Sequence, residues 1–202
     1  MIGLIDYGVG NIQSVINSLE FLNISYRVIN NGQKIENFTK VILPGVGSFK
    51  YAIEQLNKLG FTEKIITSLK NDQIKLLGIC LGMQLLFETS EEDGGCAGLG
   101  LIKGSVRKLI GSKAYSVPNI GWREIVCSGE SKLLRNLSEK PIFYFVHSYA
   151  CYAIDKNIVT GKLNYSALYD TIVETKNIYA TQFHPEKSQN VGHLILNNFA
   201  HL

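Results

Sequence analysis

The stretch Ile74-Lys75-Leu76-Leu77-Gly78-Ile79-Cys80-Leu81-Gly82-Met83-Gln84-Leu85-Leu86-Phe87 decides the fold. Ile74 to Ile79 is an apolar run of strand length, the kind found where helices cover both faces of a parallel sheet. A helical run, Met83 to Phe87, follows directly. Between them, Gly78-Ile79-Cys80-Leu81-Gly82 has the Gly-x-nucleophile-x-Gly form of a strand-to-helix elbow, with cysteine as the nucleophile. The glycines permit a strained turn whose flanks leave no room for side chains, and the turn presents Cys80 at the C-terminal end of the strand. The helix N-terminus that follows adds partial positive charge and free backbone N–H groups, which favour a thiolate and can hold an oxyanion. A free cysteine between packing glycines is equally a common small core residue. The pentapeptide alone leaves both readings open.

Strands and helices alternate upstream of this elbow. Ile2, Leu4 and Ile5 read as a first strand, and Asn11 can cap a helix with Ile12, Val15, Ile16 and Leu19 on one face. Tyr26 to Ile29 reads as a second strand ending at the turn signal Asn30-Asn31-Gly32, and Val41 to Leu43 as a short buried third. Helices follow with Phe49, Ala52, Ile53 and Leu56, then Ile65, Ile66 and Leu69, on their apolar sides. This order predicts a doubly wound, mostly parallel α/β sheet. From Gly100 to Phe183 the pattern changes to short β-type runs, Val106–Ile110, Ile142–Val146, Ile158–Leu163 and Ile178–Phe183. These read as added antiparallel strands extending or flanking the same sheet. A last helix carries Val191, Leu194, Ile195 and Phe199. No linker, repeat or low-complexity segment marks a boundary, so residues 1–202 read as one domain.

Composition bounds the function. The 202 residues are 46% hydrophobic and 18% charged with a formal charge of +3, too little excess charge for nucleic-acid or membrane-surface binding. The apolar stretch from Leu76 to Phe87 is well short of the ~20 residues that span a bilayer. The N-terminal Met1-Ile2-Gly3-Leu4-Ile5-Asp6 has no signal-peptide pattern. The four cysteines, Cys80, Cys96, Cys127 and Cys151, form no CxxC pair or zinc-like cluster, so free thiols in a reducing cytoplasm are expected and no metal or cofactor is called for.

Two further segments complete a chemical constellation. Phe183-His184-Pro185-Glu186 ends a strand, and residues i and i+2 of an extended segment point the same way. Glu186 can therefore approach the His184 imidazole and fix its tautomer, the third member that a nucleophile–base pair requires. Alone, the pair reads as a loop histidine and a surface glutamate; with an elbow cysteine in an α/β frame, it reads as a triad. Leu43-Pro44-Gly45-Val46-Gly47-Ser48 ends another strand, where its glycines let backbone N–H groups approach an oxyanion, or where Ser48 simply caps a helix. It has neither the Gly-x-Gly-x-x-Gly spacing nor the Gly-Lys-Ser/Thr of a nucleotide site. The sum is a Cys–His–Glu acyl-transfer enzyme, either an amidase-like glutaminase or an α/β-hydrolase with a cysteine nucleophile. The hydrolase order places the acid before the histidine, whereas here Glu186 follows His184.

Gly78-Ile79-Cys80-Leu81-Gly82-Met83-Gln84, Pro44-Gly45-Val46-Gly47 and His184-Pro185-Glu186 together resemble the class I, triad-type glutamine amidotransferases. A finer resemblance, over essentially the whole chain, is to the glutaminase-subunit family of imidazole glycerol phosphate synthases. It is carried by Asp6-Tyr7-Gly8-Val9-Gly10-Asn11, the run Leu85 to Glu92, Gly121-Trp122, Phe145-Val146-His147-Ser148-Tyr149 and Lys187-Ser188. The resemblance implies a flavodoxin-like fold and hydrolysis of glutamine by Cys80, His184 and Glu186, with an oxyanion held by Gly45, Val46, Gly47 and Leu81. It implies Gln84, Glu92, His147, Ser148 and Tyr149 around the substrate, and Asn11, Asn119, Trp122, Tyr144 and Lys187 at the face of a partner. That partner is a (β/α)8-barrel cyclase in a heterodimer, which takes the ammonia to form imidazole glycerol phosphate and AICAR in histidine biosynthesis.

Two departures bear on the partner. The family commonly reads Pro-His-x-Gly-Trp-Asn where this chain has Pro118-Asn119-Ile120-Gly121-Trp122-Arg123. The altered loop leaves room for a second role, that of paralogous subunits supplying ammonia for amidine formation on cell-surface or flagellar sugars.

Overall fold

A computed structural model describes all 202 residues. The first half runs β1 (Ile2–Ile5), α1 (Ile12–Phe21), β2 (Tyr26–Ile29), β3 (Lys40–Leu43), α2 (Phe49–Lys58), α3 (Phe61–Lys70), β4 (Lys75–Ile79) and a four-residue α4 (Leu81–Gln84). Then come β5 (Phe87–Ser90), β6 (Cys96–Ala97), β7 (Ile102–Lys108), β8 (Asn119–Glu124), β9 (Val126–Cys127), β10 (Ile142–His147) and β11 (Tyr149–Ala153). The chain closes with β12 (Val159–Asn164), β13 (Leu168–Glu174), β14 (Ile178–Thr181) and α5 (Gln189–Ala200).

Twelve strands form one sheet in the order β2-β1-β3-β4-β14-β13-β11-β7-β5-β6, with β12 and β9 continuing from β13. From β2 through β14 every pairing is parallel, and beyond β14 the pairings are antiparallel except for β5 with β7. The parallel half is buried on both sides, as βαβ crossovers require. Strand residues alternate between two apolar clusters: Ile5, Val41, Leu43 and Leu76 face α2 and α3, while Leu4, Ile42, Leu77 and Ile79 face α1 and α5. The helices meet them with the periodic faces read from sequence. Phe49, Ala52 and Leu56 of α2 and Phe61, Ile65 and Leu69 of α3 lie on one side, and Val15 and Leu19 of α1 with Ile195 and Phe199 of α5 on the other. Each such large side chain contributes about 1.5–3 kcal/mol relative to exposure. Asn11 caps α1 by accepting from the Ser14 N–H, and Ser48 caps α2 by accepting from the Tyr51 N–H.

The structure corrects three expectations. The helix expected over Met83–Phe87 is α4, over Leu81–Gln84, and Phe87 already belongs to β5. Every residue from Leu81 to Phe87 is buried, so the run has no polar face from which a period could be read. The run Ile178–Phe183, expected as an added antiparallel strand, ends at Thr181 and pairs in parallel with β4; β10 pairs only with β8, as a separate two-stranded ribbon. The expected strand Val106–Ile110 ends at Lys108, and β5, β6, β8, β9, β11 and β13 had no counterpart among the expected runs.

The elbow depends on close backbone packing. A Cβ on Gly82 would lie 1.9 Å from the Leu43 carbonyl oxygen, and one on Gly78 would lie 2.8 Å from the Gly82 oxygen. Overpacking of this kind costs about 1–3 kcal/mol, and each kcal/mol moves the melting midpoint by roughly 2–4 °C at this chain length. Gly82→Ala should lower the calorimetric midpoint by several degrees; an unchanged midpoint would contradict the packing described.

Candidate active site

Cys80 sits at the carboxyl end of β4 with φ 53° and ψ −107°, a conformation that L-residues rarely adopt. Its N–H donates to the Thr181 carbonyl at 2.8 Å, and its own carbonyl accepts from the Met83 and Gln84 N–H groups of α4. Backbone bonds on both sides therefore hold the turn. The sulfur lies between two groups: it is 3.9 Å from the Val146 carbonyl, to which the thiol donates, and 3.8 Å from Nε2 of Gln182, which donates to it.

β14 is the parallel neighbour of β4, with Ala180 opposite Gly78 and Thr181 opposite Ile79. The chain leaving β14 thus reaches the same end of the sheet as Cys80. There His184 is held through its backbone: its N–H donates to the Tyr144 carbonyl at 3.0 Å, and its carbonyl accepts from the Ser188 hydroxyl at 2.6 Å. His184 Nδ1 and Glu186 Oε1 are 2.7 Å apart, and both side chains are buried. His184 Nε2 is buried with no hydrogen-bond partner. Burial opposes the charged imidazolium, but Cys80 and then Glu186 outweigh it and push the His184 pKa up to about 10.

A cavity of about 310 Å³ opens over Cys80, at the small end of the range for ligand sites. Val46, Gly47, Leu81, Gln84, Glu92, His147, Ser148 and Tyr149 line it, together with Val146 and Pro118, which were not among the expected site residues. Gly45 is buried behind the lining, where its added Cβ would lie 2.4 Å from the Tyr7 hydroxyl. The Glu92 carboxylate accepts from the Phe49 N–H at 3.0 Å, and burial raises its pKa above the ordinary carboxylate value. Gln84 Nε2 donates to the Tyr149 carbonyl at 2.9 Å and to Gln182 Oε1 at 3.2 Å, so only its oxygen is left for a ligand.

Three residues stand otherwise than expected. The Leu81 N–H, expected as an oxyanion donor, already donates to the Gly45 carbonyl at 3.2 Å. His147 borders the cavity but has both ring nitrogens engaged, Nδ1 with the Tyr149 carbonyl at 2.8 Å and Nε2 with Tyr169 Oη at 3.0 Å and Asn119 Nδ2 at 3.2 Å. The carbonyl can only accept, so Nδ1 carries the proton. Burial, with a smaller contribution from the His184 charge, pushes the His147 pKa down to about 4. Asn119, expected at the partner face, is fully buried and instead receives the Arg123 Nε donation at 3.1 Å. The other residues expected there are at the surface or border it: Asn11, Trp122 and Lys187 are exposed and Tyr144 half-buried. Trp122 meets Tyr144 edge-on at 5.9 Å, and Lys187 Nζ lies 5.9 Å from the centre of the Tyr144 ring.

Gln182 is the residue missed outright. The extended segment expected at His184–Glu186 is instead a single 3-10 turn over Pro185–Lys187, across which Glu186 reaches His184, so strand alternation does not lead back to Gln182. No three or more His, Cys, Asp or Glu side chains gather in metal-ligand geometry, and no helix is long and apolar enough to cross a membrane.

The family model of the class-I glutamine amidotransferases matches residues 3–202. The chain belongs to that family. Imidazole glycerol phosphate synthase subunit HisH of Leptospira borgpetersenii is 40% identical over 205 residues, covering 100% of both chains. The protein of the same name from a Geobacillus species is 44% identical over 204 residues, 99% of this chain and 96% of that one. Subunit HisH 1 of Campylobacter jejuni is 40% identical over 202 residues. Among solved structures, a glutamine amidotransferase superposes with a TM-score of 0.77 at 16% identity over 100% of this chain and 99% of that one. PurLQS from Thermotoga maritima superposes with a TM-score of 0.73 at 15% identity over 98% and 96%. At those identities the structural likeness speaks for the fold alone. As a glutamine amidotransferase, the chain is not the cysteine-dependent α/β-hydrolase that the motif spacing had left open.

The neutral, buried His147 makes folding pH-dependent. Its folded pKa of about 4 lies below the unfolded value of about 6.5. Between them the unfolded state holds a proton that the folded state does not, so stability is retained above pH 6.5 and lost as pH falls toward 4. His184 is present in both wild type and His147→Gln, so its own linkage cancels from their comparison. The His147 contribution approaches ~1.4 kcal/mol per pH unit. In urea unfolding, wild type should lose about 2 kcal/mol more than His147→Gln between pH 7 and pH 5; equal losses would refute the neutral histidine.

Proposed function

We propose that this amidotransferase is the glutaminase subunit of an imidazole glycerol phosphate synthase, with Cys80, His184 and Glu186 as its triad. The observation that carries the reading is the buried His184–Glu186 pair at the Cys80 end of the sheet, with His184 Nε2 left without a partner. Cys80 gives its proton to His184 Nε2, and the thiolate attacks the side-chain carbonyl carbon of glutamine. The tetrahedral intermediate collapses as His184 returns the proton to the leaving nitrogen, releasing ammonia and leaving a glutamyl thioester on Cys80. His184 then takes a proton from water, the resulting attack frees glutamate, and the thiolate is restored. Glu186 holds the imidazole in the tautomer that exposes Nε2 and stabilises its charged form. Glu92, the free oxygen of Gln84, Ser148 and Tyr149 line the part of the cavity suited to the α-amino and α-carboxylate groups.

The oxyanion donors are the N–H of Leu81 and those of the Gly45–Gly47 loop. With the Gly45 carbonyl on the Leu81 N–H, that donor is occupied, so full activity requires the carbonyl to turn away. A partner that favours the turned loop would raise kcat strongly, because an oxyanion donor is worth about 10²–10³ in rate. Ammonia in water is largely protonated and lost as a nucleophile, so a docked acceptor and a shielded path are physically sensible. Trp122, Tyr144, Lys187 and Asn11 supply the docking face for a (β/α)8-barrel cyclase that forms imidazole glycerol phosphate and AICAR in histidine biosynthesis, a reading supported by full-length relatives named as subunits of that synthase.

The departure at residues 118–123 does not favour the sugar-modifying alternative. Arg123 folds back onto Asn119 and onto the carbonyls of Trp122 and Ile120, so the two changed positions satisfy one another and leave Trp122 exposed. Glutamate release should rise when the barrel protein is added. In that complex Cys80→Ala should lose at least about a thousandfold, and Glu186→Gln a smaller but clear factor. A Cys80→Ala complex that still hydrolysed glutamine would overturn the assignment.

A further inference from the structure

We infer that Gln182 is a further catalytic residue of this site: its carboxamide N–H donates to the Cys80 sulfur and holds it ready as the nucleophile. The inference rests on the reading of Cys80 as the reacting thiol. The orientation of the amide follows from its neighbours. The Tyr149 carbonyl can only accept, so the Gln84 group 2.9 Å from it is the NH2. That same NH2 lies 3.2 Å from Gln182, so the Gln182 atom facing it is the oxygen. The Cys151 thiol, 3.7 Å from this oxygen, is a second donor. With its oxygen held on that side, Gln182 turns its NH2 to Cys80 Sγ at 3.8 Å. A flipped amide would set N–H against N–H at Gln84, inside a core where Gln182 has no exposed surface.

The Gln182 backbone is equally fixed, because its N–H donates to the Thr171 carbonyl at 2.8 Å across the β14–β13 pairing. The chemistry at Sγ follows. The neutral thiol has an acceptor in the Val146 carbonyl at 3.9 Å. Once the proton has passed from sulfur to His184 Nε2, that carbonyl has nothing to accept and faces a negative sulfur. The Gln182 N–H is then the donor aimed at the new charge, and in a buried site such a bond gains over its value in water. Gln84 and Cys151 thus act on the nucleophile through Gln182, as positioning residues.

The test is the pH profile of Cys80 alkylation by iodoacetamide, in the full chain, with each cysteine followed by peptide mass spectrometry. Two variants remove the donor: Gln182→Met, and Gln182→Glu, which keeps the shape and an acceptor for Gln84. Both should slow alkylation of Cys80 at pH 6.5 by about tenfold or more, with rates converging on wild type at high pH, while partly exposed Cys96 reacts unchanged. A structural role alone would leave the profile where it was. Wild-type Cys80 profiles in either folded variant would overturn the inference. Alkylation needs no glutamine, so failure of the glutaminase reading would appear separately, as absent glutamate release with the alkylation shift intact.

Discussion

The strained turn at Cys80 is the constraint on which the rest of the molecule depends. A cysteine at positive φ costs about 1–3 kcal/mol and persists only where its surroundings determine it completely. Gly78 and Gly82 remove the side chains that would collide with the tight crossing of β4, α4 and β3. The Thr181 carbonyl fixes the entry to the turn from the neighbouring strand, and the Met83 and Gln84 N–H groups fix the exit. Because β14 is that neighbouring strand, the support of Cys80 and the delivery of His184 come from one parallel pairing. A shift of register there would disrupt both at once.

The environment divides two histidines into opposite roles. The sulfur of Cys80 and the carboxylate of Glu186 favour the charge of His184, whereas burial holds His147 neutral, its ring nitrogens engaged by an amide, a phenol and a carbonyl. Opposed shifts of neighbouring titratable groups are a recurring mark of acid–base sites. Buried polar atoms without partners are few in folded proteins, and here Tyr7 Oη, His184 Nε2 and Glu186 Oε2 are all in or beside this site. Tyr7 lies against Gly45, whose carbonyl occupies the Leu81 N–H. The other four such atoms belong to Thr62, Ser166, Thr171 and His193.

The parallel half of the fold was legible because helix and strand periods alternate cleanly there, with Phe49, Leu56, Ile65 and Leu69 on true amphipathic faces. The segment after Cys80 was misread because a run buried on all sides carries no period. β11, Tyr-Ala-Cys-Tyr-Ala, and β8, Asn-Ile-Gly-Trp-Arg-Glu, escaped because their strand character comes from partners far along the chain rather than from composition. The Cys80, His184 and Glu186 set was visible through local spacing. The occupied Leu81 N–H was not, since it depends on which way one peptide of the Gly45 loop faces. Asn119 looked like a surface polar residue until its partners Tyr169, His147 and Arg123, remote in sequence, appeared around it.

These features reduce to one claim, that Cys80 forms a covalent bond to the glutamyl group, held in place by a turn, a base and a donor that the sheet brings together. Acid quenching of the chain with the proposed barrel partner during glutamine turnover, followed by peptide mass spectrometry, tests it directly. The account predicts a glutamyl adduct on the peptide containing Cys80, absent from the Cys80→Ala chain and from the peptides of Cys96, Cys127 and Cys151. Steady glutamate release with no adduct at Cys80, or with the adduct on another cysteine, would contradict it.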